Sequence, residues 1–315
     1  MRYTLRQLEV FVAVGRYESA SRAAEALGLS QSATSTALAE LEKQFDVRLF
    51  DRFGKRLQLN ELGRMLLPKA IELLDRASEV EAALGGAAGV GALRIGATLT
   101  IGNYLATLLI GEFLRRHPGS QVKMEVHNTA MIVRQVAHFE LDFGLIEGDC
   151  QHPDLEVESW VADDLVIFCS PEHPMAQTGR ATLEELTQVP WIVRETGSGT
   201  RQTFDAAMRH VLSKLNIRLE LEHTEAIKRA VESGLGIGCI SRLALKDAFR
   251  RGSLVPITVD GLDLSRQFHF VVHKQKFRTP GMIEFLSLCR EVAANVSVSD
   301  EIVLLRPDGG PLTYR

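Results

Sequence analysis

The sequence predicts a mixed α/β protein built from a small N-terminal helical module, one long helix and two α/β lobes. Three observations predict this. Apolar residues recur at helical spacing up to Phe45, and a second helical pattern runs from Glu61 to about Ala83. Beyond Gly91, short apolar runs alternate with helical patterns. A chain of 315 residues is also long enough for about two domains with cores of their own.

The composition is that of an ordinary globular protein. Hydrophobic residues make up 45% and charged residues 24% of the chain, and the mean hydropathy is +0.01, which excludes chain-wide disorder and collagen-like repeats. No apolar run approaches the ~20 residues of a membrane span, and Met1–Glu9 lacks the apolar core of a signal peptide. The four cysteines form no C-x-x-C pair, so we expect reduced thiols and a cytoplasmic location.

Charge is distributed unevenly along the chain. The net charge is −4, which by itself argues against a nucleic-acid-binding protein. Up to Arg64, however, there are ten basic and eight acidic side chains, against 26 and 32 in the remainder. The N-terminal part is therefore mildly basic, and it can attract a polyanion if its basic residues share a face.

Three helices and a basic hairpin are predicted at the N-terminus. Thr4 caps a helix to about Arg16, Ser19 precedes Ala20–Leu27, and Gly28 supplies a tight turn. Ser30 caps the third helix, Gln31–Phe45, whose predicted buried stripe is Ala33 or Thr34 with Leu38, Leu41 and Phe45. Two short strands around Gly54 then form a basic wing.

Helix, tight turn, helix and wing in this order predict a winged helix-turn-helix that binds DNA. Small polar side chains on the third helix are expected to approach base edges, and the wing residues are expected to contact phosphates or the minor groove. The predicted DNA-binding residues are Gln31, Ser32, Ser35, Thr36, Arg52, Lys55 and Arg56. A helical module of another kind, with Ser30 acting only as a cap, is the alternative.

The N-terminal sequence resembles the LysR-type transcriptional regulators. The resemblance lies in Leu5–Phe11, Ser19–Leu27, Ser30–Ala33, Leu49–Arg52 and Leu59–Gly63, and it continues to about residue 293. It implies a transcription factor, not an enzyme, that binds promoter DNA as a homodimer or a homotetramer of two dimers, acts with RNA polymerase and often works as an activator. Thr36 departs from the pattern, because many members carry a longer Arg or Gln there, and this shifts expected base reading toward Ser32, Ser35 and the wing.

The long helix is predicted to pair with a second copy of the chain. Its apolar stripe includes Leu62, Leu66 and Leu73 and is too long to be buried on the small winged module alone. Packing against its own chain is the alternative. The glycine-rich stretch Gly85–Gly91 then marks a hinge and a domain boundary.

The remaining chain predicts two lobes with parallel sheets. Helices are expected at Asn103–Arg116, Met131–Phe139, Thr200–Leu215, Ala226–Ser233 and Pro280–Ala294, between strands that begin near Leu93, Val122, Phe143, Leu165, Trp191, Leu219, Gly236 and Phe268. The predicted divisions are 1–60 for the winged module, 61–91 for linker helix and hinge, 92–163 with 267–295 for lobe I, 164–266 for lobe II, and 296–315 for a tail. Two crossovers make the pair resemble a periplasmic-binding-protein-like effector domain, with ligand between the lobes.

Polar loops at strand ends predict an anion site in this cleft. Free N–H groups and hydroxyls at helix N-termini favour anions, although each Thr or Ser could be a simple cap. Glu147 would repel an anion unless it is protonated or paired with Arg201; it could equally accept a proton from a ligand such as bisulfite, or be a solvated loop acid. The predicted effector-binding residues are Thr98, Thr100, Asn128, Thr129, Glu147, Ser198, Thr200 and Arg201.

Within the family, Gly144–Gly148 and Arg194–Arg201 resemble the branch near CbbR and the sulfur-assimilation regulators, whose effectors are small anions, phosphorylated metabolites or sulfur oxyanions. No P-loop, nucleophile elbow or H-E-x-x-H motif occurs, so we expect no catalytic residues, no metal and no cofactor beyond the small-molecule effector. His269 and His273 are four residues apart on a predicted strand, but without further ligands they are better explained as ordinary buried or surface histidines. An enzyme or a detached binding protein is the alternative that the helix-turn-helix disfavours.

We expect the tail after Asn295 to be mobile or to lie on the surface.

Overall fold

The computed structural model describes residues 2–54, 56–84 and 90–303. The predicted wing residue Lys55, most of the predicted hinge and residues 304–315 of the predicted tail lie outside these ranges. No helix in the described part of the chain is long and apolar enough to cross a membrane.

The N-terminal module folds as its local sequence predicts. Helices α1 (Leu5–Tyr17), α2 (Ala20–Leu27) and α3 (Gln31–Phe45) are followed by strands β1 (Phe50–Phe53) and β2 (Arg56–Leu59). The side chains of Thr4, Ser19 and Ser30 each accept an N-terminal backbone N–H of the helix that follows. Gly28 ends α2 with φ +64°, a conformation that glycine adopts without strain.

The predicted buried stripe of α3 is wrong at its end. Thr34, Leu38 and Leu41 are buried, but Phe45 is 44% exposed. It lines an apolar groove of about 430 Å³ formed by α1, α3 and the long helix α4 (Glu61–Leu84), together with Leu62, Leu66 and Leu73. Periodicity marks Phe45 as apolar-facing. The Tyr3 ring lies near it, with ring centroids 6.3 Å apart, but the groove on that face stays open within a single chain.

The two lobes share one sheet of mixed direction. Its order is β4-β3-β5-β11-β6-β9-β7-β8, with β10 beside β6. The strands are β3 (Ala92–Ala97), β4 (Gln121–Val126), β5 (Phe143–Glu147), β6 (Leu155–Cys169), β7 (Pro190–Arg194), β8 (Asn216–Leu221), β9 (Ile237–Ser241), β10 (Val255–Ile257) and β11 (Ser265–His273). The helices are α5 (Leu99–Ile101), α6 (Thr107–Arg116), α7 (Thr129–Ala137), α8 (Leu183–Leu186), α9 (Gly199–Ala207), α10 (Thr224–Glu232), α11 (Arg242–Arg251) and α12 (Pro280–Ala293).

Strand β6 joins the lobes. Its first part, up to Asp164, pairs with β11, and Leu165–Phe168 pair with β9 of the other lobe. The strand is therefore much longer than the predicted run from Leu165 to Cys169, because its first half is polar on one side and shows no continuous apolar signal. The crossover places Asp163 on β6 directly opposite Arg266 on β11.

Two helix predictions need correction. The helix predicted from Asn103 begins at Leu99 and passes through a π-helical turn at Gly102–Ala106 before α6. The helix predicted to reach Leu215 ends at Ala207, and only a short 3-10 turn, Leu212–Lys214, follows. No glycine or proline marks that end, so periodicity alone runs through it. Helices α8 and α11 and strand β10 were not predicted.

The tail prediction is wrong for its first residues. Val298 bridges to Ala162 on β6, Ser299–Glu301 form a 3-10 turn, and Ser299 is 1% exposed. Val296 and Ile302 pack against the core of lobe I. The alternation Val-Ser-Val-Ser thus places an apolar group on the core and the Ser299 hydroxyl in the interior, so this part of the tail does not simply lie on the surface.

Candidate functional site

The helix-turn-helix presents a small polar surface. On α3, Gln31, Ser32 and Thr36 are exposed and Ser35 is half-buried. Ser30 bonds the Ala33 N–H at 3.2 Å, so it is a cap, and its hydroxyl lies 3.0 Å from that of Ser32. The exposed side chains are short and uncharged, so the helix can approach base edges closely. The assignment of these residues to DNA stays a prediction.

The wing follows α3 in the chain, as predicted, and carries two described arginines. Strands β1 and β2 pair antiparallel, with Arg52 opposite Leu57 and Phe53 opposite Arg56. Arg52 and Arg56 are both exposed, as a phosphate contact requires. Phe53 is 62% exposed at the same tip.

The predicted cleft loops converge on one buried carboxylate. The side chain of Glu147, which is 1% exposed, accepts the N–H of Thr100 at 2.7 Å and the hydroxyl of Thr200 at 3.1 Å. Thr100 belongs to lobe I and Thr200 to the first turn of α9 in lobe II. The protein's own carboxylate therefore lies where the sequence predicted donors for an external anion.

Arg266 is the partner of Glu147 that the sequence did not reveal. Its Nη1 lies 2.9 Å from Glu147 Oε2 and donates to the Thr200 hydroxyl at 2.9 Å, while its Nε donates to Asp163 at 2.7 Å. All three charged side chains are at most 2% exposed. Within the described ranges Arg266 Nη2 is buried and has no hydrogen-bond partner, so the site holds a spare cationic donor.

The buried charges set opposite pKa directions for the two carboxyl groups. Burial alone would raise the pKa of Glu147, but the charges of Arg266 and Arg194 and the hydrogen bonds from Thr100 hold it below its ordinary range. Burial dominates for Asp163 and raises its pKa, although Arg266 and two serine hydroxyls oppose the shift. The ion pair with Arg266 favours the ionised form of Glu147 and argues against the alternative of a protonated Glu147. Its burial also removes the alternative of a solvated loop acid.

Arg201 does not pair with Glu147, which removes the alternative that this pairing neutralises the carboxylate. Its guanidinium bonds Asp205 at 2.8 Å, four residues further along α9, and Glu220 at 2.7 Å on β8. The side chain leaves the first turn of α9 on the side facing β8, so it meets these acids before it can reach the cleft.

Several predicted site residues have structural roles in this arrangement. Asn128 and Ser198 cap α7 and α9, and the Thr98 hydroxyl donates to the Leu145 carbonyl at 3.4 Å. The Thr129 hydroxyl joins the lobes: it donates to the Glu147 carbonyl and accepts the Gly199 N–H, both at 3.1 Å. A Cβ at Gly199 would lie 1.9 Å from the Glu147 carbonyl oxygen, so only glycine permits this approach.

A cavity of about 520 Å³ opens between the lobes beside these loops. Its lining includes Leu99, Asn128 and Glu195, which are adjacent in the chain to Thr100, Thr129 and Arg194 of the buried site and its surroundings. His127 and His223 face it from opposite lobes. Glu147 and its contacts Thr100, Thr200 and Arg266 do not line this cavity, which adjoins the loops that carry Thr100 and Thr129.

A second charged cluster joins lobe I to the N-terminal helices. Lys276 Nζ lies 2.6 Å from Asp75 on α4 and 3.0 Å from Asp142, the residue that precedes β5. Nearby, burial and the charge of Arg94 lower the pKa of Arg16 on α1 to about 9. Strand β5 thus runs from this interdomain cluster at one end to Glu147 at the other.

The two strand histidines form no metal site. His273 is buried and its ring packs against that of Phe139 in a tilted arrangement, with ring centroids 4.0 Å apart. Burial lowers the pKa of both His269 and His273. In the described part of the chain no three His, Cys, Asp or Glu side chains are grouped to hold a metal ion. All four cysteines are free thiols.

Comparison with known proteins places both halves of the chain. Residues 5–64 match the "Bacterial regulatory helix-turn-helix protein, lysR family", and residues 87–294 match the "LysR substrate binding domain". The chain is 42% identical over 289 residues to the "Uncharacterized HTH-type transcriptional regulator YeiE" of Escherichia coli (strain K12), covering 92% of this chain and 98% of that protein. It is 32% identical over 298 residues to the "RuBisCO operon transcriptional regulator" of Allochromatium vinosum, covering 94% and 98%.

A solved structure resembles the two lobes. The Synechocystis PCC6803 CcmR regulatory domain in complex with 2-PG superposes with a TM-score of 0.61 at 27% identity. The match covers 65% of this chain and 99% of that domain.

Proposed function

We propose a detailed function from the premise that this chain belongs to the LysR family of transcriptional regulators. As a member it is a regulator with an effector-binding domain and not an enzyme, which confirms the family, the fold class and the function class predicted from the sequence. The proposal concerns how it contacts DNA, what enters its cleft and how the two events are linked.

The winged module binds promoter DNA in this proposal. Helix α3 lies in the major groove, with Gln31, Ser32, Ser35 and Thr36 toward the bases, and Arg52, Lys55 and Arg56 contact the backbone or the minor groove. The exposure of the described residues among these supports the assignment. Regulation then requires RNA polymerase nearby and a location in the bacterial cytoplasm with the DNA.

The apolar groove along α4 supports a homodimer and, from two dimers, a tetramer. A groove of about 430 Å³ lined by Leu66, Leu73 and Phe45 leaves apolar side chains in contact with water when the chain is alone. A second copy of α4 would cover it and place two recognition helices on one side of a pseudo-palindromic site.

A small oxyanion that carries a hydrogen is the effector we propose. The observation that carries this is the buried, unpartnered Arg266 Nη2 beside Glu147, which is ion-paired to Nη1 of the same arginine. Nη2 would donate to the anion, while the anion's own hydrogen would be donated to Glu147, giving two charge-assisted hydrogen bonds. Arg266 already faces two carboxylates, so a fully deprotonated anion would add repulsion without that second bond. Bisulfite has the required chemistry.

The link to DNA passes through lobe I. An anion that alters the Glu147 contacts acts on the end of β5, whose other end abuts the cluster of Asp142, Lys276 and Asp75 against α4. Strand β5 is hydrogen-bonded to β3 and β11, and in this proposal it carries the displacement from one end to the other. The position of α4, and with it the spacing of the two recognition helices, is the element that the effector would bias.

Calorimetry on the full chain tests the effector proposal, with sodium sulfite and sodium sulfate as probes near neutral pH. We expect sulfite to bind about 10-fold or more tightly than sulfate, the effect of one hydrogen bond to a charged group. Glu147→Gln should remove this preference, and Glu184→Gln on exposed α8 should keep it. Equal binding of both anions, or an unchanged preference in Glu147→Gln, would contradict the proposal.

A further inference from the structure

The residues just after α12 pack back onto both lobes. We call residues 297–302 the C-terminal strap. It begins beyond residue 294, where the match to the substrate-binding domain ends. Its buried residue, Ser299, points into the crossover between the lobes and not toward solvent.

Ser299 contacts the fully buried carboxylate of Asp163. The Ser299 hydroxyl donates to Asp163 Oδ1 at 2.5 Å, and the Ser241 hydroxyl, at the end of β9 in lobe II, donates to the same oxygen at 2.7 Å. The other oxygen, Oδ2, accepts from Arg266 Nε at 2.7 Å. Asp163 therefore joins three parts of the chain: the strap, lobe II and the crossover strand β11.

The strap also holds both sides of the crossover through other contacts. Val298 bridges to Ala162 on β6, and Lys246 on α11 of lobe II donates to the Asp300 carbonyl at 2.7 Å. Ile302 packs against the core of lobe I. A segment fixed to both lobes resists any rotation of one against the other.

One residue, Arg266, connects Asp163 to the contacts between the two lobes. Arg266, held by Asp163, is the residue that bonds both Glu147 of lobe I and Thr200 of lobe II. We propose that the C-terminal strap is a positioning element for this cleft, and that Ser299, acting through Asp163, holds Arg266 in the orientation that joins the lobes.

A buried carboxylate needs donors to remain ionised, which explains why the hydroxyl matters. Without Ser299, Asp163 would keep only Ser241 and Arg266, and burial, which already raises its pKa, would act with less opposition. A more readily protonated Asp163 binds Arg266 less firmly, so the Arg266 contacts across the cleft loosen. The proposal rests on the proposed function only for which ligand uses the cleft, because the lobe contacts exist without one.

Hydrogen exchange on the full-length protein, followed by mass spectrometry without ligand, tests the strap directly. We expect Ser299→Ala to speed amide exchange about tenfold in peptides from the crossover, residues 161–166 and 265–268, and at the start of α9. Ser297→Ala, two residues earlier and exposed, is the matched control and should leave these peptides unchanged. Peptides from α1 to α3 should not change in either variant.

Two truncations separate the strap from the rest of the tail. A chain ending at Val303 keeps the strap and should exchange like the full chain, whereas a chain ending at Val296 should exchange at least as fast as Ser299→Ala. Ser299→Ala and Asp163→Asn remove opposite sides of the same hydrogen bond. In the double variant, their effects on the amide exchange rate should therefore be less than additive.

Three results would overturn the proposal: unchanged crossover exchange in Ser299→Ala, an equal change in Ser297→Ala, or faster exchange spread evenly through both lobe cores. The last would show a stabilising anchor without a positioning role. Failure of sulfite to bind would contradict the effector proposal alone, since no ligand enters this measurement.

Discussion

Replacing Arg266 by methionine is the most informative single change in this structure. Methionine keeps most of the side chain's apolar length but removes the positive charge between Glu147 and Asp163, which are 2.9 and 2.7 Å away. Breaking a buried ion pair by removing one partner costs about 3–5 kcal/mol, since it leaves a buried charge uncompensated. Arg266 pairs with two carboxylates, but we count this cost only once. Thr100 and Thr200 still donate hydrogen bonds to Glu147, and Ser241 and Ser299 still donate to Asp163.

That cost converts to a large change in thermal stability. For a domain of 150–250 residues, 1 kcal/mol shifts Tm by about 2–4 °C, so Arg266→Met should lower Tm by about 6–20 °C. Tryptophan fluorescence reports this unfolding selectively, because the chain's two tryptophans, Trp160 and Trp191, both lie in the lobes. Arg250→Met is the control: its side chain is 68% exposed and pairs with Asp247 on the surface, which contributes at most about 1 kcal/mol.

The stability deficit should also depend on pH, with a defined sign. In the wild-type protein the pKa of Glu147 lies below its ordinary range, so its stabilisation is present above the unfolded-state pKa and is lost as pH falls. In Arg266→Met both carboxyl groups are buried without their cation, so folding favours their protonated forms and the variant gains relative stability in acid. The Tm difference should therefore narrow as pH falls from 7 toward 4.

Neutralising both acids supplies the complementary test. Adding Glu147→Gln and Asp163→Asn to Arg266→Met removes the uncompensated charges and should recover part of the lost Tm. A Tm loss no larger than that of Arg250→Met, or a deficit that widens in acid, would refute the electrostatic account of this site.

Two further predictions concern DNA binding and assembly. Arg52→Ala should weaken binding to all DNA sequences and reduce the slope of log affinity against log salt by about one unit, as for a lost phosphate contact. Ser35→Ala should instead alter preference among operator variants. Mobility shifts at several salt concentrations measure both effects, and an Arg52→Ala effect confined to some sequences would contradict the wing assignment. Leu73→Glu should dissociate the α4 pairing, because a charge would have to be desolvated in the apolar groove. The control Glu72→Gln, on the exposed side of the helix, should leave the pairing intact. An unchanged mass of Leu73→Glu by light scattering would exclude α4 as the dimer contact.

The N-terminal module shows how far local sequence determines structure here. Its caps Thr4, Ser19 and Ser30, the turn at Gly28 and the helical period all act within a few residues, so the helix-turn-helix could be predicted in order and nearly to the residue. The order of strands and helices in the lobes follows from the same local patterns. Residues 304–315 and Lys55 lie outside the described ranges, so the predictions made for them stay predictions.

The cleft was predicted only in part, because its loops are local and its charges are not. Thr100, Thr200 and Glu147 could be found as polar residues that follow strands, and the structure brings them together. The Arg266 that joins them lies 66 positions from Thr200 and 103 from Asp163, and a lone arginine on a strand carries no sequence signal for its partners. Arg201 has an acid, Asp205, available along its own helix, and it pairs there and not with Glu147.

The sequence by itself determined most of the elements, their order and the family, since these depend on periodicity, capping and motifs spaced along the chain. Only the tertiary structure decided which charges meet, how far β6 extends between the lobes, and that Ser299 is buried. The physical reason is burial: removing Glu147, Asp163 and Arg266 from water makes their mutual contacts obligatory. Which residues are removed from water depends on how distant segments pack, and no local pattern records that packing.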